Sequence, residues 1–223
     1  MYRRSLPLRR PHARSCRIIY VAIRAKLVSE ISAADIFDLI TQQTPEDLFL
    51  EFKAEILDPR KPKDRLEFDK GEWAADVVAF ANAQGGHILI GMEADKQERA
   101  ARLMPIAGDQ AKRLADQLRD LAIERIKPSI AQLEVAPIGI TASEWIVAAR
   151  VPHSSDKPHI STHNGRTRFT LRDGNRKRDM AYDEIREFFL AGRQQQLFVQ
   201  FLSEVESINS RLADLERTLR KAD

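Results

Sequence analysis

Cysteine is nearly missing from this chain. Cys16 is the single one in 223 residues. An internal disulfide framework and a multi-cysteine zinc site are both excluded, and a reducing, cytoplasmic setting is expected. Long apolar runs are missing as well. None approaches the roughly 18 residues that a membrane-spanning helix needs, so no membrane partner is expected. There is no internal repeat and no Gly-Lys-Ser/Thr phosphate loop of the Walker type. Acidic residues are absent from the first 26 positions, which carry eight basic ones: Arg3, Arg4, Arg9, Arg10, Arg14, Arg17, Arg24 and Lys26. The net charge of the whole chain is +3, so residues 27–223 sum to −5. Any argument for a polyanionic partner must therefore rest on local patches, not on the overall charge.

What is present is ordinary for a globular chain: 43% hydrophobic and 31% charged residues, enough apolar material to build a core. Residues 1–26 read as a basic, disordered extension. It is open to three readings: an arm for phosphate backbones, an organellar transit segment, or translated sequence upstream of the true start. Residues 27–191 read as the folded domain and 192–223 as an amphipathic helix.

Within the domain, Ser32 can cap a helix over 31–40, with Ile36, Phe37 and Ile40 on one face. Leu48–Ile56 alternates apolar and polar residues, which predicts a strand with one buried face. Glu51 and Lys53 then lie opposite Leu50 and Phe52. The charged stretch 58–70, with Pro59 and Pro62, reads as a loop. Asp69-Lys70-Gly71-Glu72 matches a capping box opening a helix that Gly85-Gly86 ends. A short strand follows at His87–Met92, then a polar excursion over 93–107. Asp109 can cap a further helix. Strands are expected at Ile130–Ala136 and Trp145–Val151. Asn164-Gly165 and Asp173-Gly174 mark turns around strands at Arg166–Leu171 and Arg176–Met180. Tyr182–Leu190 reads as a short helix. The order predicts an α/β or α+β sandwich, a mixed sheet flanked by helices. At the end, Phe198, Phe201, Val205, Ile208, Leu212, Leu215 and Leu219 are spaced 3-4-3-4-3-4. That heptad seam predicts a coiled-coil-like helix, and a homodimer is the simplest way to bury it.

Two groups of residues can carry function. Lys157, Arg166, Arg168, Arg172, Arg176, Lys177 and Arg178 place seven cations between 157 and 178, against Asp173 as the only acid. Guanidinium forks in that density suit phosphates of RNA or DNA. Glu46, Glu51 and Lys53, with Glu93 and Asp95 after the Gly-rich strand, can serve phosphodiester chemistry. Carboxylates hold a divalent cation, and an ammonium offsets developing charge.

Three blocks carry a family resemblance. They are Glu46-x-x-x-x-Glu51-Phe52-Lys53; Val78-Ala79-Phe80-Ala81-Asn82-Ala83-x-Gly85-Gly86-x-Ile88-x-Ile90-Gly91; and Arg168-Phe169-x-x-Arg172-x-Gly174-x-x-x-Arg178 followed by Tyr182-x-Glu184-Ile185. In this order, over about residues 40–190, they resemble Schlafen-type AlbA domains. The resemblance implies an α/β fold associated with nucleic-acid binding, sometimes loosely labelled ATP-binding. It also implies, in some members, a metal-dependent ribonuclease that cuts transfer RNA. For such an enzyme the metal and catalytic set would be Glu46, Glu51 and a third acid at Glu93 or Asp95, with Mg or Mn; a binding module would need no cofactor. Two departures stand out. Asp47 and Leu48 occupy positions next to which the family often has serine, and Ala181 stands where Ser or Thr commonly caps the last helix. A nucleic-acid-binding module and an endoribonuclease are thus the leading readings, ahead of nucleotide binding at Gly85-Gly86 or a pure interaction protein.

Overall fold

The computed structural model describes residues 23–219. Most of the basic N-terminal extension therefore lies outside the described residues. After a 3-10 turn at Val28–Glu30, the elements run α1 (Ala33–Thr41), β1 (Leu50–Lys53), α2 (Lys63–Asn82), β2 (Gly86–Ile90), β3 (Met92–Ala94), β4 (Ala100–Leu103) and β5 (Ile106–Ala107). Then come α3 (Gly108–Arg125), β6 (Ile126–Lys127), β7 (Glu134–Gly139), β8 (Glu144–Val151), β9 (Ile160–His163), β10 (Arg166–Arg168), β11 (Thr170–Asp173), β12 (Arg176–Asp179) and α4 (Tyr182–Leu219). Two compact units result: residues 23–154 with 159–179, and 155–158 with 180–219.

The first unit is built on a five-stranded mixed sheet. β1 pairs in parallel with β2, from Leu50↔His87 to Lys53↔Ile90. β8 runs antiparallel to β2 on one side and to β7 on the other. β5 extends the β2 edge of β8 through Ile106↔Trp145. Successive side chains on a strand point to opposite faces, and the sheet uses both. Ile88, Ile90, Val147 and Ala149 pack under α2 and α3 with Trp73, Val77, Phe80 and Leu118. Leu50, Phe52, Leu89, Ile146 and Ala148 face the other way, toward Ile23, Val28, Ile36 and Leu39. The predicted α/β sandwich with a mixed sheet is the observed fold.

Several boundaries differ from expectation for physical reasons. Ser32 does cap α1, accepting from the Asp35 N–H while Asp35 bonds back to the Ser32 N–H. Its buried face, however, is Ile36 and Leu39, and Phe37 points outward. β1 covers only Leu50–Lys53 of the expected strand. α2 starts at Lys63, behind Pro62, rather than at Asp69. Proline fixes φ and lacks the donor that a first turn leaves unused. Asp69 is instead a buried helical residue, ion-paired with Arg65 one turn earlier at 3.1 Å. Gly71 sits mid-helix because a Cβ there would lie 2.7 Å from the His163 ring. The polar excursion contains the β3–β4 hairpin. α3 starts at Gly108, with Ala107 as its N-cap in place of Asp109. The basic stretch folds as two hairpins, β9–β10 and β11–β12, split at Phe169. Asn164 and Gly165 take positive φ of 49° and 71° in the first of them, as a two-residue hairpin turn requires.

The second unit is dominated by α4. The expected short helix and the heptad segment are one continuous helix of 38 residues. Ala181 lacks a capping side chain, but the Glu184 carboxylate accepts its N–H at 2.8 Å.

Candidate nucleic-acid interface

β1 is an edge strand, and its two polar side chains leave the sheet on the α2 side, as the alternation predicts. Lys53 Nζ lies 2.8 Å from Glu51 Oε1 and 2.9 Å from Asp76 Oδ2 on α2. Asp76 is almost wholly buried, and its other oxygen meets Lys177 Nζ of β12 at 2.6 Å. Lys177 also pairs with Glu72 at 2.8 Å, and Glu72 with Arg168 at 2.9 Å. A chain of alternating charges thus runs from β1 across α2 to both hairpins. Burial works against the Lys53 charge. Asp76 and then Glu51 outweigh it and hold the ammonium well above the ordinary lysine range. Burial alone would raise Asp76, yet Lys53 and Lys177 hold it below the usual carboxylate range. Removing one member of such a buried cluster strands the others, at a cost of about 3–5 kcal/mol.

Arg172 is the second anchor. Its guanidinium donates to Glu51 and to the carbonyls of Asp47, at 3.0 and 3.1 Å, and Leu50, at 3.2 Å. It also stacks 4.6 Å from the centre of the Phe80 ring. Glu46 sits before the same strand, where its carboxylate accepts the Phe52 N–H at 2.7 Å. Burial raises its pKa to about 7, the nearby Glu51 charge pushes the same way, and the Phe52 hydrogen bond opposes them. Glu46, Glu51 and Lys53 are therefore brought together, as the first sequence block implies. Glu93 and Asp95 are engaged elsewhere. Glu93 pairs with Arg102, while Asp95 grips Arg99 at 2.7 Å and closes the β3–β4 turn through the Gln97 and Arg99 N–H groups. Among the described residues no three His, Cys, Asp or Glu side chains are grouped to hold a metal. With both Glu51 oxygens taken by cations, the side chains as placed do not fit a Mg or Mn site.

The seven cations of the basic stretch separate into four kinds. Arg168, Arg172 and Lys177 are structural, locked into the charge chain. Arg178 pairs with Asp173 at 3.3 Å. Lys157 belongs to the second unit, where its ammonium lies 6.0 Å from the Phe188 ring and burial lowers its pKa. Arg166 and Arg176, beside the turns of the two hairpins, are exposed and make no ion pair among the described residues. Sequence reasoning missed Asp76 and Asn82. Asn82 donates to the carbonyls of His159 and Thr170 at 2.9 Å each and accepts the His159 N–H at 2.7 Å, tying the hairpins to α2. A lone acid and a lone amide inside the apolar run 73–83 were the available signal, because buried polar groups need partners.

The class this architecture defines is a mixed-sheet α/β domain with a charged strand edge braced by two hairpins. A family model described as Schlafen, AlbA_2 matches residues 46–181, and the chain belongs to that family. No curated protein matches the sequence. Among solved structures, the DIP2311 protein of Corynebacterium diphtheriae is similar at 18% identity and a TM-score of 0.44, over 78% of this chain and 28% of that one. This chain therefore spans little more than a quarter of DIP2311. The N-terminal domain of a protein related by name to the ATP-dependent DNA helicase RecG, from Nitrosomonas europaea, is similar at 21% identity and a TM-score of 0.40, over 64% of this chain and 88% of that one. No helix among the described residues is long and apolar enough to cross a membrane.

Proposed function

We propose that this protein binds nucleic acid, RNA or DNA, through the turns of its two basic hairpins. Family membership supports the reading, and one observation carries it. Arg166 and Arg176 are exposed without ion-pair partners, while the cations behind them are fixed in a buried network. Such a scaffold fixes the strands that carry the two guanidinium groups and leaves the groups themselves open to phosphate oxygens. The test is the double variant Arg166→Ala with Arg176→Ala, with residues 1–22 deleted from both proteins so that the basic arm cannot bind in their place. Each lost phosphate contact should lower the slope of log K against log salt by about 0.7–0.9. An unchanged slope in an anisotropy titration refutes the hairpins' role.

A second reading, an endoribonuclease that cleaves transfer RNA with a divalent metal, would need Glu51 to release Lys53 and Arg172 before it could hold the metal, and it draws on one feature. Glu46 holds a proton near neutrality beside Glu51 and Lys53. A group of that pKa can give or take a proton at a scissile phosphate, and the ammonium can offset its charge. If this reading is right, Glu51→Gln abolishes cleavage of labelled transfer RNA in Mg or Mn while binding persists. Equal cutting by the variant excludes Glu51. The C-terminal helix adds a route to a homodimer, which would place two hairpin pairs in one particle and raise avidity without a new contact.

A further inference from the structure

The apolar residues of α4 are not spread evenly along it. Besides Tyr182, Phe189 and Leu190 nearer its start, Leu197, Phe198, Val199, Phe201, Leu202 and Ile208 are between 45% and 60% exposed, and five of these six lie within six residues. A helix stretch this apolar needs cover, and the heptad spacing states its geometry. Phe198, Val205, Leu212 and Leu219 occupy the a positions and Phe201, Ile208 and Leu215 the d positions. That places Leu197 at g and Leu202 at e. In a parallel, in-register pair, g of one helix meets e of the next heptad on the other. Leu197 of each copy then packs against Leu202 of the second copy, and the two phenylalanine layers close over one another. In an antiparallel pair that sets Val205 against Ile208, Leu202 lies beside Asn209 of the second copy instead. The apolar ends are then separated and left beside polar side chains.

We propose that α4 pairs with α4 of a second copy of this chain as a parallel, in-register coiled coil centred on residues 197–208. This rests on the homodimer read above and adds its direction. Matching apolar flanks select one arrangement over the other, as partner choice at e and g positions generally does.

The experiment uses the full chain with Cys16→Ser, so that no native thiol remains. Phe198→Cys and Leu215→Cys are made separately in that background. Each is oxidised alone and as an equal mixture of the two, and the mass of the Cys16→Ser parent, whose seam is intact, is measured by light scattering under reducing conditions. The expected result is a dimer mass, with each variant forming a covalent dimer alone and the mixture yielding only those two products. A covalent product that appears only in the mixture overturns the parallel direction while leaving the homodimer standing. A dimer mass with no covalent product in any sample overturns this seam as the interface. A monomer at tens of micromolar overturns the homodimer itself.

Discussion

The two longest helices use apolar residues in opposite ways. In α2, every residue from Trp73 to Asn82 is buried, because the sheet lies on one side and α3 and the hairpins close the others. Even its polar members are partnered inside the first unit: Trp73 Nε1 donates to the Leu118 carbonyl at 2.9 Å, and Asp76 holds two lysines. In α4, the large apolar side chains from Leu197 to Leu202 are between 45% and 60% exposed. Apolar content alone does not separate these cases. Periodicity does. A helix buried all round shows a weak stripe, whereas a strict 3-4 spacing gathers the apolar residues into one narrow seam.

Truncating Trp73 should cost the most. Trp73→Ala opens a cavity where the first core meets α3 and removes the indole N–H from the Leu118 carbonyl. A loss of about 3–5 kcal/mol is expected in urea unfolding. Phe198→Ala should move the same unfolding transition by no more than about 0.5 kcal/mol, while lowering the mass seen by light scattering. If Phe198→Ala destabilises the fold as Trp73→Ala does, α4 is a core helix and the contrast fails.

The same contrast explains what was legible in the sequence. The Ser32 cap, the Gly85-Gly86 stop and the Asn164-Gly165 turn are local devices, written within a few residues of where they act. The first turns of α2 were obscured because Pro59, Pro62 and a run of charges resemble a loop, although the 65–69 pair sits at helical spacing. The charge chain was hidden for another reason. Arg172 and Glu51 are 121 residues apart, and Lys177 and Glu72 are 105 apart. A cluster of cations in sequence reads as a basic surface until the fold shows which of them face carboxylates. Glu51 and Lys53 were placed on the correct face by alternation alone, but their partner Asp76 belongs to a helix whose burial only the tertiary structure fixes.

A weaker dependence, on pH, belongs to the first unit alone. Glu46 carries a folded-state pKa of about 7 against an ordinary 4.5, raised first by burial and then by Glu51. A carboxyl group whose pKa rises on folding binds its proton more tightly in the native state. Its contribution is fully present below about pH 4.5 and is lost as pH rises through about 7. Glu46 is only partly buried, so solvent screening limits the effect to roughly 1 kcal/mol. Glu46→Gln removes the titrating proton but keeps an oxygen able to accept the Phe52 N–H. The variant should therefore gain on the wild type as pH rises from 5 to 8, by roughly 1 kcal/mol in urea unfolding. The mass seen by light scattering should not change over the same range, because Glu46 lies in the first unit and the α4 seam is apolar. Parallel pH–stability curves for the two proteins would show that Glu46 is already ionised near pH 5. That result would also remove the proton on which the nuclease reading draws, while leaving Arg166 and Arg176 as the surface for phosphate.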